Sequence, residues 1–180
     1  MAAPIKPNKK TANGKDTWWL VPAIADMTAP KVSEVNASTG LNITCFLLAE
    51  QEGVTGTTEK VALARLLCET ATTEGIGETT FSMADVQVVF DPQAASSHND
   101  KKAFELLRNG FTGFAVRRQG IKAITDADVT AGQFIDTVPV EIAPVIPGKS
   151  ATDASGIYTA TGSVAVTGVP EFNRAVVAGA

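Results

Sequence analysis

The chain has one histidine, His98, two cysteines 23 residues apart, and a single tyrosine. These shortages exclude several functions. A metal centre needs several His, Cys or carboxylate ligands at workable spacing. One histidine and Cys45 with Cys68 do not provide it. A Ser-His-Asp constellation could use only His98, and no G-x-S-x-G elbow occurs. Two cysteines do not make a disulfide framework; both lie in apolar runs and read as buried free thiols, as in a reducing cytoplasm. Aromatics are 6% of the chain, too few for the clustered rings of a small-ligand or carbohydrate site. Trp18 and Trp19 read as anchors of a packed strand.

Long apolar runs are also missing. No segment reaches membrane-spanning length. The early lysines followed by WWLVPAIA imitate an export signal with Ala23 and Ala25 at its cleavage site, but the run is short and broken by Pro22. Residues 1–15 lack acids: Lys6, Lys9, Lys10 and Lys15 give them +4. The net charge of −4 therefore leaves −8 on the remainder, 11 basic against 19 acidic residues. A basic arm on an acidic body suits nucleic acid, membrane or the body of a neighbouring copy. The body itself lacks the basic patch that DNA affinity requires.

At 180 residues and 44% hydrophobic, the chain suits one domain with a real core. Its Thr, Val and Gly favour pleated strands joined by turns. We read 1–16 as a basic arm, 17–168 as a mainly β domain with one packed helix, and 169–180 as a C-terminal arm. Strands are expected at 18–21, 41–48, 80–90, 112–118, 133–146 and 156–168, with 60–70 leaning to strand. That gives six to eight antiparallel strands. A short helical turn at Pro30, capped by Thr28, places Val32 and Val35 on one side. GIGET (75–79) reads as a turn, and 49–59 as a Gly- and Thr-rich loop or an extended hairpin tip.

The helix is expected at 99–109, with Ser97 or Asn99 as cap and Ala103, Phe104 and Leu107 on one face. Gly110 ends it. His98 then reads as a solvated residue just outside the cap. GVTGTTEK (53–60) lacks the paired Gly-Lys of a phosphate loop. Asp126, Asp128 and Asp136 fit a solvated turn better than a calcium site. No catalytic residue, metal ligand or cofactor is expected.

Three stretches carry a resemblance. VPAIADMTAPKVSEVNASTGLNITCFL (21–47), ARLLCETATTEGIGETTFSMADVQVVFDPQ (64–93) and AFELLRNGFTGFAVRRQG (103–120) together resemble major tail proteins of long-tailed phages with actinobacterial hosts. The resemblance implies a tail-tube fold: a β-sandwich or half-barrel with a flanking helix, which completes a barrel on ring formation. It implies rings, typically of six, stacked into a tube that conducts the genome from virion into cell, with no reaction catalysed. Implied partners are other copies, a tape-measure protein, and tail terminator or tip proteins. DNA would pass without specific binding, and no membrane partner is implied. Its place would be the virion tail, after synthesis in the host cytoplasm. A capsid decoration or head–tail joining protein is the alternative.

Within that frame, 49–59 is the candidate inter-ring finger. Gly53, Val54, Thr55 and Gly56, with Lys6, Lys9, Lys10 and Lys15, are candidate contacts between copies. Glu59, Glu69, Glu78 and Asp85 are candidates for an acidic lumen, or else an ordinary solvated face. Six copies would carry about −24 from −4 each, which repels phosphates.

Overall fold

A computed structural model describes residues 11–48, 53–68, 70–125, 127–150 and 156–179. Its frame is a sheet with strand order β10-β7-β6-β1-β2, with β11 also paired to β7. The strands are β1 (Asp16–Val21), β2 (Leu41–Asn42), β6 (Phe111–Gln119), β7 (Phe134–Ile142), β10 (Val164–Val166) and β11 (Glu171–Ala175). A second sheet has the order β5-β9-β8: β5 (Val86–Val89), β9 (Tyr158–Gly162) and β8 (Ile146–Lys149). A third unit is the hairpin of β3 (Val54–Ala62) and β4 (Glu74–Met83). All these pairings are antiparallel.

The first sheet is buried on both faces. Alternate residues of a strand point to opposite sides, and β1 shows what this requires. Trp18 and Leu20 enter the core between the sheets, with Ala115, Val138, Val140 and Ile142. Val86, Val88, Phe90 and Ala160 face them from the second sheet. Trp19 and Val21 enter a second core with Val116, Ile135, Val35, Val129 and Val176. The run TWWLV is continuous because both faces need apolar side chains. The mainly β expectation holds, and the two sheets make a sandwich.

Helix α2 (Lys102–Leu107) closes one end of the main core with Ala103 and Leu107. Phe104 stacks on Phe90, centroids 4.5 Å apart. The expected helix at 99–109 is shorter than anticipated. Asn99–Lys101 form a 3-10 turn, and His98 is its cap. His98 Nδ1 accepts from the Asp100 amide at 3.3 Å. The histidine therefore caps the turn, a role expected of Ser97 or Asn99. Gly110, at φ 87°, ends the helix as expected.

Helix α1 (Val32–Val35) starts from Lys31 rather than Thr28. Glu34 reaches back to the Lys31 amide, while Thr28 is engaged with Asp26.

Several expected strand limits move. The run 41–48 is a strand for two residues only. Thr44 donates from its amide and hydroxyl to Asn42 Oδ1, and its hydroxyl accepts from the Trp18 amide at 2.8 Å. These side-chain bonds compete with the ladder. A 3-10 turn at Thr44–Phe46 follows, and Cys45 emerges on the surface. The run 156–168 breaks at Ser163 into β9 and β10, and 133–146 divides into β7 and β8. The run 80–90 divides similarly between β4 and β5. Eleven strands result among the described residues, against the six to eight expected.

The segment 169–180 is not a loose arm over its described length. β11 pairs with β7, and the Val177 amide donates to the Pro30 carbonyl. Strands β10 and β11 share one edge of β7, changing over near Pro139. Pro139 accepts from the Thr167 amide but has no N–H to offer that edge.

Candidate assembly surface

The hairpin β3–β4 is the part of the chain with least internal support. Among the described residues its strands pair only with each other. Eight of the nine β3 residues are exposed. Only its base meets the domain: Val54 and Met83 pack on the main core, near Val164 and Val166 of β10. An isolated two-stranded hairpin is marginal in water.

Local chemistry holds the hairpin in register. Thr55 faces Ser82 and Thr58 faces Thr79, each pair with oxygens 2.9 Å apart. Phe81 lies over Gly56, where an added Cβ would sit 3.3 Å from the ring. The register shifts between Thr58 and Lys60, so Gly77 and Glu78 together oppose Glu59. Such a bulge bends and twists a hairpin. Beyond Ala62 the chain turns through residues 63–73, with the Leu63 amide donating to the Thr73 carbonyl at 2.8 Å. This tip is apolar. Leu66 is 62% exposed, Leu67 fully so, and Ile76 is 79% exposed beside it.

The sequence expectations map onto this hairpin with corrections. Residues 54–59 are strand, not loop, so any finger here is the whole hairpin and its tip is 63–73. GIGET is not a turn but lies within β4. The strand expected over 60–70 stops at Ala62. Cys68, expected in a buried run, is exposed in the tip. Gly53, Val54, Thr55 and Gly56 lie at the base, far from the tip. Glu59 and Glu78 lie on opposite strands at the bulge, and both are exposed. Asp85 stands apart between β4 and β5, where the Ser163 hydroxyl donates to it at 3.4 Å. Glu69, Lys6, Lys9 and Lys10 lie outside the described residues.

Lys15 is held in a turn. Its amide donates to the Ala12 carbonyl, and its own carbonyl accepts from the Gly120 amide. Asp126 also lies outside the described residues. Asp136 accepts from the Asn173 amide, and the Asp128 carbonyl accepts from Arg118.

Two arginines missing from the expectations are prominent here, one at the hairpin base and one on the opposite face of the sheet. Arg117 is the direct neighbour of Trp18 across β1 and β6, with its guanidinium 5.3 Å from the ring. It bonds Asp16 at 2.6 Å. The same guanidinium fills the space a side chain at Gly53 would need. On the other face, Arg118 is fully buried. It donates to the Asp128 carbonyl, Gln133 Oε1 and Thr17 Oγ1, and lies 5.2 Å from the Trp19 ring. The signal was present as Trp-Trp in one strand and Arg-Arg in another. The register sets Arg117 opposite Trp18 and Arg118 opposite Thr17, diagonal to Trp19, and register is not legible from either segment.

Among the described residues no group of His, Cys, Asp and Glu could hold a metal, and no helix is long and apolar enough to cross a membrane.

No curated protein matches the chain. Among solved structures, a chain of the six-fold symmetrised cryo-EM structure of the anti-feeding prophage baseplate is similar, at 8% identity and a TM-score of 0.49. The likeness covers 97% of this chain and 98% of that one. The family described as phage tail tube protein matches residues 3–179. A match over nearly the whole length shows that this chain belongs to the phage tail tube protein family.

Proposed function

We propose that copies of this chain close into rings, six to a ring, that stack into a tube through which the viral genome leaves the virion. The observation that carries this reading is the β3–β4 hairpin, with its exposed faces and apolar tip. Such a hairpin gains most when neighbouring copies cover it. A chain whose own fold leaves it uncovered is suited to assembly. The placement of exposed Glu59 and Glu78 across the bulge supports an acidic lumen surface, which repels DNA phosphates and leaves passage unhindered. In this reading a tape-measure protein occupies the lumen before ejection, and terminator and tip proteins close the ends. The basic N-terminal segment meets the acidic body of another copy.

Replacing residues 63–73 with a two-residue Asn-Gly turn tests the reading. Electron micrographs of the purified native chain are expected to show rings and tubes. The shortened chain is expected to stay folded, by circular dichroism, and monomeric. Native protein that never leaves the monomer, or normal tubes from the shortened chain, overturns the reading.

A further inference from the structure

A surface cleft of about 310 Å³ lies between the 3-10 turn at Thr44–Phe46, the C-terminal end of β5 and the 3-10 turn at Asn99–Lys101. Its floor is Phe46, Val89 and Phe90, its rim carries Cys45, and Asp91 and Asp100 flank it. We propose that this cleft receives the β3–β4 hairpin tip of a neighbouring copy. The proposal deepens the ring reading and rests on it: the occupant is a second copy because a tube subunit is surrounded by its own kind.

The two surfaces match in chemistry. The tip presents Leu66 and Leu67, both exposed, to an apolar floor. Arg65, exposed in the same turn, makes no ion pair among the described residues, and the cleft offers two exposed carboxylates. An apolar anchor surrounded by opposite charges at the rim is the usual anatomy of a specific contact.

Geometry excludes the tip of the same copy. Nine residues of β3 span about 30 Å at about 3.3 Å each. Val54 fixes the base against the same core that Phe46 and Leu47 pack on. No hairpin residue lines the cleft, and Leu66, Leu67 and Cys68 are exposed, so the tip of the same copy does not occupy it. Tip and cleft are different surfaces of one molecule, so their contact between copies is head-to-tail. A head-to-tail contact propagates into a ring or a filament rather than closing a two-fold dimer.

Docking places Cys68 of one copy beside Cys45 of the next, so the native thiols report it. The purified full-length chain, assembled and checked on micrographs, is treated with bismaleimidoethane. Each maleimide adds one thiol. The expected result is a ladder extending beyond dimers on a denaturing gel. Cys45→Ser and Cys68→Ser alone each give no ladder, and an assembled mixture of the two gives dimers only. Leu66→Asp with Leu67→Asp abolishes the ladder, and Arg65→Glu lowers its yield about two- to fivefold. Tubes without a ladder overturn the docking alone, as do dimers from Cys45→Ser, which would mean that tips meet tips. No rings or tubes on any micrograph defeats the ring reading, and the docking with it.

Discussion

At the residue scale, Arg118 shows how much one side chain can connect. Burying a guanidinium is unfavourable unless its donors are satisfied. Here they reach Thr17 on β1, the Asp128 carbonyl and Gln133, with Trp19 beneath. Arg118→Ala leaves those acceptors without their donor and opens a cavity, so thermal unfolding should show a loss of roughly 3 kcal/mol. An unchanged melting temperature would mean that water replaces the guanidinium. His98 is the opposite case. It was legible as a solvated residue at the start of a helix, and its capping role was not, because Ser97 and Asn99 offered more usual oxygens. His98→Ala removes one exposed cap bond, and we expect a loss of under about 1 kcal/mol with tubes unaffected. Gly53→Ala pushes against the Arg117 guanidinium, so it should loosen the Arg117–Asp16 pair and the hairpin base while leaving both cores intact.

At the scale of elements, apolar patterning decided what could be read. β1, β6 and β7 line two cores, and their hydrophobic runs announced them within one to four residues. The single helix was also legible, through Ala103 and Leu107 and the glycine after it. The hairpin's extent was not, because beyond its base at Val54 and Met83 little of its length is buried against the domain and no alternation was imposed on TGTTEK or GIGETT. Their glycines suggested turns, yet they serve close packing: Phe81 covers Gly56, and a Cβ at Gly77 would meet Val61 at 2.7 Å. β11 was missed for a related reason. Four of its five residues are exposed, and its pairing to β7 is a backbone matter. Its consequence is testable. Deleting residues 171–179 removes Val176 from the second core and bares an edge of β7. Calorimetry should show a loss of roughly 2–4 kcal/mol, with increased aggregation. Full stability after deletion would show that the strand is ornamental to the fold.

At the scale of the molecule, the family is structural, and this chain is a phage tail component. Its −4 charge, basic at the start and acidic elsewhere, would give the proposed contacts between copies an electrostatic part. Raising salt from about 0.1 to 1 M shortens the screening length from about 10 to 3 Å. Tubes held partly by charge should therefore shorten or dissolve, as measured by light scattering. Salt indifference would assign the contacts to the apolar tip alone. The central claim is that neighbours complete what one copy leaves bare, and amide hydrogen exchange tests it most directly. Peptides from 54–83 should exchange fast in dilute monomer and slow markedly in assembled tubes, while those from β1, β6 and β7 are protected in both. Equal exchange of the hairpin in monomer and tube would contradict the account.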